Sequence, residues 1–268
     1  MSTKQSKIKL CLIGASGRMG RLVLDSISCS KNVECVSALV SNKSSHLGKS
    51  HLDWTFGNKL KEGVQASDVI LDFSAPSALL SYHSIAQEFK TPIVVGSTGL
   101  SKETLEVLDT HSKIAPLLVA SNFSLGVNAL FLLSKLAGKM LDKRFDVEII
   151  ESHHKHKKDA PSGTALSLGE AIAKGRNVPL ESVKAFSSPK RQREEGQIGF
   201  SSIRAGDIVG EHTALFCNAQ ERIELFHRAE KRSVFAQGAL EAVTFLANKP
   251  PGRYSMFDVL GVDDIILK

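Results

Sequence analysis

Residues 151–165, Glu-Ser-His-His-Lys-His-Lys-Lys-Asp-Ala-Pro-Ser-Gly-Thr-Ala, set three imidazoles and three ammonium groups directly ahead of Asp159-Ala160-Pro161-Ser162-Gly163-Thr164, which reads as a helix start. Histidine holds or releases a proton near neutral pH, lysine adds positive charge, and the N–H groups of a helix N-terminus bind carboxylate or phosphate. Together they make a site for an anionic small molecule. Other readings compete. His153, His154 and His156 could bind a metal, but neighbouring side chains on a strand face opposite sides and would converge only in a loop, so no metal is expected. Lys155, His156 and Lys158 could be a solvated basic loop. Arg204, Asp207, Glu211 and His212 could serve only turns and sheet contacts, and they stand outside the catalytic set.

A second anion-binding device opens the chain. Ile8–Ile13 reads as a buried strand, Gly14-Ala15-Ser16-Gly17-Arg18-Met19-Gly20 follows at once, and Leu22, Val23, Ser26 and Ile27 continue at helical spacing. Gly14 would make the tight turn, Gly17 would let backbone approach a pyrophosphate, and Gly20 would let the helix pack close to the sheet. Alone, this is as compatible with a structural glycine turn as with a nucleotide site.

To position these residues, the chain up to about residue 123 alternates short apolar strands with amphipathic helices, the pattern of a parallel α/β sheet. The expected strands are 8–13, 33–40, 68–73, 92–95 and 116–120, with helices near 18–29, 76–89 and 101–112. The turns Phe73-Ser74-Ala75-Pro76, Gly96-Ser97-Thr98-Gly99 and Ser121-Asn122-Phe123-Ser124 follow strands and would line one crevice at their carboxyl ends. A long apolar helix over 125–141 and a half-exposed strand over 145–152 lead into the histidine cluster, and a helix runs from 163 to 174. After a polar loop over 184–195, strands at 198–204, 208–216 and 221–227 read as antiparallel neighbours joined by the short turns 205–207 and 218–220. A helix over 233–246 and an apolar tail to Ile266 return to the first domain.

The 268 residues, 42% hydrophobic, suit two domains of roughly 100–150 residues. The net charge of +6 is spread through the chain and aromatics make up only 6%, so an anionic ligand fits better than nucleic acid. Cys11, Cys29, Cys35 and Cys217 show no C-x-x-C pairing and read as small buried hydrophobes in a reducing compartment. The first residues, Met1 to Lys7, lack an apolar signal core, and no apolar run approaches the roughly 20 residues that span a bilayer. The expectation is a cytoplasmic protein without membrane contact.

Residues 13–20, the segment 151–165, and Arg204-Ala205-Gly206-Asp207-Ile208-Val209-Gly210-Glu211-His212-Thr213 together resemble the dihydrodipicolinate reductase family, in order and over nearly the whole chain. The resemblance implies hydride transfer from NADH or NADPH to a cyclic unsaturated dicarboxylate, 4-hydroxy-tetrahydrodipicolinate, on the diaminopimelate route to lysine. It implies a Rossmann-like, doubly wound cofactor domain, expected at 1–124 plus 240–268, and an α+β domain with a mixed open sheet, expected at 125–239. The second domain would bind substrate and build a homotetramer, with hinge closure between the two. By motif, His153 would donate a proton and Lys157 would stabilise charge in the transition state. His154, Gly163 and Thr164 would bind a substrate carboxylate. Gly14, Ala15, Ser16, Gly17, Arg18 and Met19 would hold the cofactor pyrophosphate. Gly96, Ser97, Thr98, Ala120, Ser121, Asn122 and Phe123 would surround the nicotinamide end, and Phe73 would also bind the cofactor.

The residue types support these roles. Hydride delivery to a conjugated imine leaves an enamine that must be protonated at carbon, which suits a histidine, ordinarily titrating near about 6.5. A non-catalytic nucleotide sensor would need the glycine turn but not His153 and Lys157 together, and a reductase of another imine would not need the whole central motif. One departure from the family pattern stands out. The second strand ends Val40-Ser41-Asn42-Lys43-Ser44, with no carboxylate for the adenosine ribose. Ser41, Lys43 and Ser44 could receive a 2′-phosphate instead, so NADPH is expected to serve at least as well as NADH.

Overall fold

Apolar runs broken by glycine and proline turns become strands, and the amphipathic stretches between them become crossover helices. A computed structural model describes residues 6–186 and 192–262. In chain order these form β1 (Ile8–Ile13), α1 (Arg18–Ile27), β2 (Val33–Leu39), β3 (Ser50–His51), β4 (Trp54–Thr55), α2 (Leu60–Gln65), β5 (Val69–Asp72), α3 (Pro76–Glu88), β6 (Ile93–Val95), α4 (Lys102–Ser112) and β7 (Pro116–Val119). There follow α5 (Leu125–Met140), β8 (Asp146–His153), α6 (Gly163–Gly175), α7 (Leu180–Val183), β9 (Lys184–Phe186), β10 (Ile198–Arg204), β11 (Glu211–Cys217) and β12 (Arg222–Arg228). The chain ends with α8 (Ser233–Leu246), β13 (Gly252–Tyr254) and α9 (Met256–Leu260). The short elements β3, β4, α2 and α7 carry too little periodicity to be read from sequence. Residues 187–191 of the expected polar loop, the first five residues of the chain and the tail beyond 262 lie outside the described residues.

Two compact units result, one ending at Ser124 and resuming at Ser233, the other Leu125–Arg232. The whole of α8 lies with the first unit, whereas the sequence reading divided it at residue 240. Its apolar stripe explains why: Ala236, Ala239, Leu240, Val243 and Leu246 all sit in the first unit's core.

The first unit is built on a sheet of order β13-β7-β6-β5-β1-β2, parallel at every pairing. Its strands are apolar on both faces, as a sheet covered on both sides requires. Leu10, Leu12, Val69, Leu71, Val94 and Leu118 face α1 and α8, whereas Cys11, Ile70, Ile93, Val95 and Leu117 face Leu79, Tyr82 and Ala86 of α3 and Leu108 of α4. Strand order reverses between β1 and β5, so the turns after these two strands flank the crevice where such sheets bind ligands. The apolar tail contributes β13, which extends the sheet beyond β7. The cysteine reading holds for Cys11 alone. It is buried, whereas Cys29 is exposed, Cys35 and Cys217 are half-buried, and all four are free.

Gly20 shows how tightly α1 seats against the sheet. A methyl group there would overlap Gly14 O and lie 2.6 Å from Ala15 O, both backbone atoms that cannot rotate away. Gly20→Ala should therefore cost at least about 1–3 kcal/mol, the usual range for overpacking, as a lowered urea midpoint with an unchanged m value.

The second unit is a mixed sheet of order β12-β11-β8-β10-β9. The alternation expected for 145–152 is present, but β8 lies at the sheet's centre, with Val147 and Ile149 buried. The strands expected as a consecutive antiparallel set are arranged differently: β10 pairs with β8 in parallel, β11 pairs with β8 antiparallel, and β10 and β11 are not neighbours. The segment after β10 crosses the end of β8 instead of forming a hairpin, held by Ala205 N–H to His153 O (3.0 Å) and Lys155 N–H to Gly206 O (3.1 Å). The 218–220 turn does close a hairpin between β11 and β12, with Asn218 Oδ1 accepting from Gln220 and Glu221 N–H. At the start of the expected loop, Lys184–Phe186 instead pair with β10 as β9.

Candidate active site

Period-two alternation on β8 puts Glu151 and His153 on one face, two residues apart, 1% and 9% exposed. Glu151 Oε2 lies 2.5 Å from His153 Nδ1. The register aligns Arg204, the last residue of β10, with His153, and its guanidinium grips Glu151 bidentately, Nη2 to Oε1 at 2.7 Å and Nη1 to Oε2 at 2.9 Å. Burial alone would raise the Glu151 carboxyl, but hydrogen bonds from His153 and Arg204 outweigh it and hold the group far below the ordinary carboxylate range. Glu151 is therefore ionised and can only accept, so His153 Nδ1 carries a hydrogen.

On the other flank, β11 aligns His212 with Glu151, and the two imidazole rings of His153 and His212 pack edge to face at 5.1 Å. Burial, reinforced by the charge of His153, pushes His212 down to about 3, so it stays neutral at ordinary pH. Gly210 lies beside His153 Nε2, and a Cβ at that position would be 3.2 Å from this nitrogen.

The start of α6 is fixed to the same group. Ser162 is its N-cap, accepting from Ala165 N–H at 3.2 Å, while its own N–H donates to Glu151 Oε1 at 3.2 Å. Beside Gly163, on the first turn, a side chain would meet no atom within 4 Å, so the helix end is open to a ligand there. Thr164 follows on that turn. In the linking turn, Lys157 N–H donates to His154 O, and Lys157 Nζ pairs with Asp159 Oδ2 at 2.9 Å. His154 is half-buried, its ring 6.3 Å from that of His156, and desolvation with the nearby Arg232 and His153 charges lowers its pKa. Among the described residues no three His, Cys, Asp or Glu side chains converge as metal ligands.

Of the expected site residues in this unit, His153, Lys157, His154, Gly163 and Thr164 are all borne on the segment between the end of β8 and the start of α6. Sequence reasoning placed Ser162 at the helix start but gave no role to Glu151, and it set aside Arg204 and His212. A Glu-x-His pair on one strand face was visible in principle. The partnership of residues 151 and 204 depends on β8 and β10 being adjacent.

In the first unit, Gly14 adopts φ +80°, a region that favours glycine, and a Cβ would lie 2.6 Å from Phe73 O. Gly14 and Ala15 N–H both donate to Leu39 O, so these two amides are committed to the turn. Helix α1 begins at Gly17 with no side-chain cap, which leaves the amides of its first turn, from Arg18 and Met19, available to an anion beside Ser16. These features fit a dinucleotide pyrophosphate. Beyond β5, β6 and β7, the rings of Phe73 and Phe123 meet edge to face at 5.5 Å, and a Cβ at Gly96 would strike both. Ser97 Oγ donates to Ser74 O, Ala120 N–H to Val95 O, and Ser124 N–H to Asn122 Oδ1. Thus Phe73, Gly96, Ser97, Ala120, Asn122 and Phe123 come together, with Phe123 buried and Thr98 and Ser121 exposed. Ser41 and Lys43 are exposed beyond the end of β2, the strand beside β1.

Models of the domains described as dihydrodipicolinate reductase, N-terminus, and dihydrodipicolinate reductase, C-terminus, match residues 8–123 and 126–260. The chain belongs to the dihydrodipicolinate reductase family. A 4-hydroxy-tetrahydrodipicolinate reductase of Zymomonas mobilis is 41% identical over 97% of this chain and 100% of its own length, and one of Pseudoalteromonas atlantica is 40% identical over 95% and 99%. The solved dipicolinate-bound dihydrodipicolinate reductase of Paenisporosarcina sp. TG-14 shares the fold, with a TM-score of 0.75 at 22% identity over 97% of this chain and 100% of that one. As a dihydrodipicolinate reductase family member, the chain is an NAD(P)H-dependent oxidoreductase of the diaminopimelate route to lysine. No described helix is long and apolar enough to cross a membrane.

Proposed function

We propose that the chain reduces 4-hydroxy-tetrahydrodipicolinate with His153 as proton donor and Lys157 as the charge-stabilising group. The observation that carries these roles is the buried His153, held by an ionised Glu151 beside the open start of α6. The bound nicotinamide supplies the hydride. Protonation of the resulting substrate enamine at carbon then falls to His153. Gly163 and Thr164 at the helix N-terminus, with His154, bind one substrate carboxylate, and Lys157 offsets negative charge that grows in the transition state. The Lys157 ammonium must leave Asp159 or share it to do so.

The test is NADPH oxidation with substrate generated in place by a synthase from pyruvate and aspartate semialdehyde. Robust turnover that falls about 10²-fold or more in Lys157→Ala, with cofactor still bound, supports the assignment. A folded parent that binds NADPH without turnover would sink it.

On the cofactor side, Arg18, Met19 and the Gly14–Gly17 turn hold the pyrophosphate, and the cluster around Phe73, Gly96 and Phe123, with Ser97, Thr98, Ala120, Ser121 and Asn122, receives the nicotinamide end. Ser41 and Lys43 accept the 2′-phosphate. Lys43→Ala should lower kcat/KM for NADPH by up to about fivefold, the upper end for an exposed ion pair, and leave NADH unaffected. A marked preference of the parent for NADH would count against the 2′-phosphate role.

A homotetramer in the cytoplasm completes the reading. The open face of the second sheet, with Ile150, Thr213 and Leu215 half-buried and Ile203 and Phe226 48% and 52% exposed, supports sheet-to-sheet assembly. Light scattering should report four times the chain mass, and a monomer would refute assembly.

A further inference from the structure

We infer that Glu151, clamped by Arg204, is a positioning residue that decides which nitrogen of His153 works: it takes the Nδ1 hydrogen and leaves Nε2 as the atom that delivers the proton. The inference rests on the reading of His153 as proton donor and adds how the ring is set.

The geometry is over-determined. Both Glu151 oxygens are engaged by cationic or N–H donors, Oε1 by Arg204 Nη2 and Ser162 N–H, Oε2 by Arg204 Nη1 and His153 Nδ1. Arg204 is itself anchored, with Nη2 donating to Asp159 O at 2.6 Å and Nη1 to Ile203 O at 2.7 Å. The carboxylate therefore cannot turn away from the imidazole. Nε2 lies beside Gly210, just ahead of β11, where a Cβ would stand 3.2 Å from the nitrogen, so this position adds no side chain of its own over it. The charged and titratable groups around His153 are Glu151 on its own strand, Arg204 on β10, His212 on β11, and Lys157 and His154 from the following turn. His212 is neutral, so it neither competes as an acid nor repels the imidazolium.

In the step so described, the Nε2–H bond of the imidazolium breaks as a C–H bond forms at the enamine carbon. The electron pair of the broken bond stays on Nε2. The ring is left neutral with its remaining hydrogen on Nδ1, still donated to Glu151, and a solvent proton restores Nε2–H. A fixed carboxylate partner on Nδ1 favours the Nδ1–H tautomer that the step leaves behind.

Glu151→Gln tests this with little change in shape. At Oε1 both partners, Arg204 Nη2 and Ser162 N–H, can only donate, whereas at the Oε2 position His153 Nδ1 can become an acceptor, so the amide NH2 settles toward His153 Nδ1 and donates to it, which favours a neutral ring with hydrogen on Nε2, a far weaker acid. The expected result is a fall in kcat of about 10²–10³-fold with KM values for NADPH and substrate within about threefold, and partial recovery in Glu151→Asp. A role limited to holding the start of α6 through Ser162 would instead raise the substrate KM. Nitrogen-15 spectra of the parent's imidazoles at alkaline pH provide an independent readout that needs no variant to fold. They should show neutral His153 with hydrogen on Nδ1. The Nε2–H tautomer in the parent, or Glu151→Gln turnover within about threefold of the parent, would overturn the inference. His153→Gln separates the two levels: full turnover in that variant would refute the proton-donor reading itself, whereas its collapse alongside an Nε2–H parent ring would refute only the positioning role.

Discussion

His153→Gln is expected to lower kcat by about 10²–10⁴-fold, the contribution of a well-placed general acid, with NADPH binding unchanged in a fluorescence titration. Glutamine is close to imidazole in reach and can still hydrogen-bond the clamped Glu151, so the sheet end should persist. It has no proton to release to carbon in the accessible pH range, so protonation must come from water. The loss should appear in kcat more than in KM, because the missing interaction belongs to the transition state and not to the bound dicarboxylate. Retention of more than about a tenth of parental kcat would assign the proton to another group.

Arg204→Met should be the most destabilising single change in the second unit, by about 3 kcal/mol or more, because it removes one partner of a buried ion pair and strands the other. Glu151 is only 1% exposed, while the Arg204 side chain is 19% exposed, which places the loss toward the lower end of the range for fully buried pairs. The pH dependence follows from linkage. The folded-state pKa of Glu151 lies far below the unfolded value of about 4.3, so the native state binds fewer protons than the unfolded state. Its stabilisation is fully present above about pH 5, and it is lost as the pH falls through the unfolded value toward the folded one. Urea midpoints of the parent should fall over that acid window. Those of Arg204→Met should be lower at neutral pH and fall less on acidification, since protonation relieves the stranded carboxylate. Parallel curves for the two proteins would mean that the pair contributes nothing to acid stability.

Much of this protein was legible in the order of its residues. Apolar runs ending in glycine turns mark β1 and β6, and apolar runs ending in serine-bearing turns mark β5 and β7, because a strand buried on both faces must be largely apolar and must end where the backbone turns. Ser162-Gly163-Thr164 after a proline marks the start of α6, because capping is local chemistry. The density of imidazole and ammonium groups before that start is legible whatever the fold, because charge and proton exchange belong to the side chains themselves. Pairings between distant residues were not legible. The sequence reading joined β10 to β11, whereas the tertiary structure inserts β8 between them, and this insertion brings Arg204 and His212 onto opposite flanks of Glu151 and His153. Strand order depends on which edges are left to pair once the helices are packed, a long-range property with no local signature. Local composition therefore determined that His153 sits among cations at a helix start, whereas only the assembled sheet decided that a carboxylate 2.5 Å away holds its Nδ1 hydrogen.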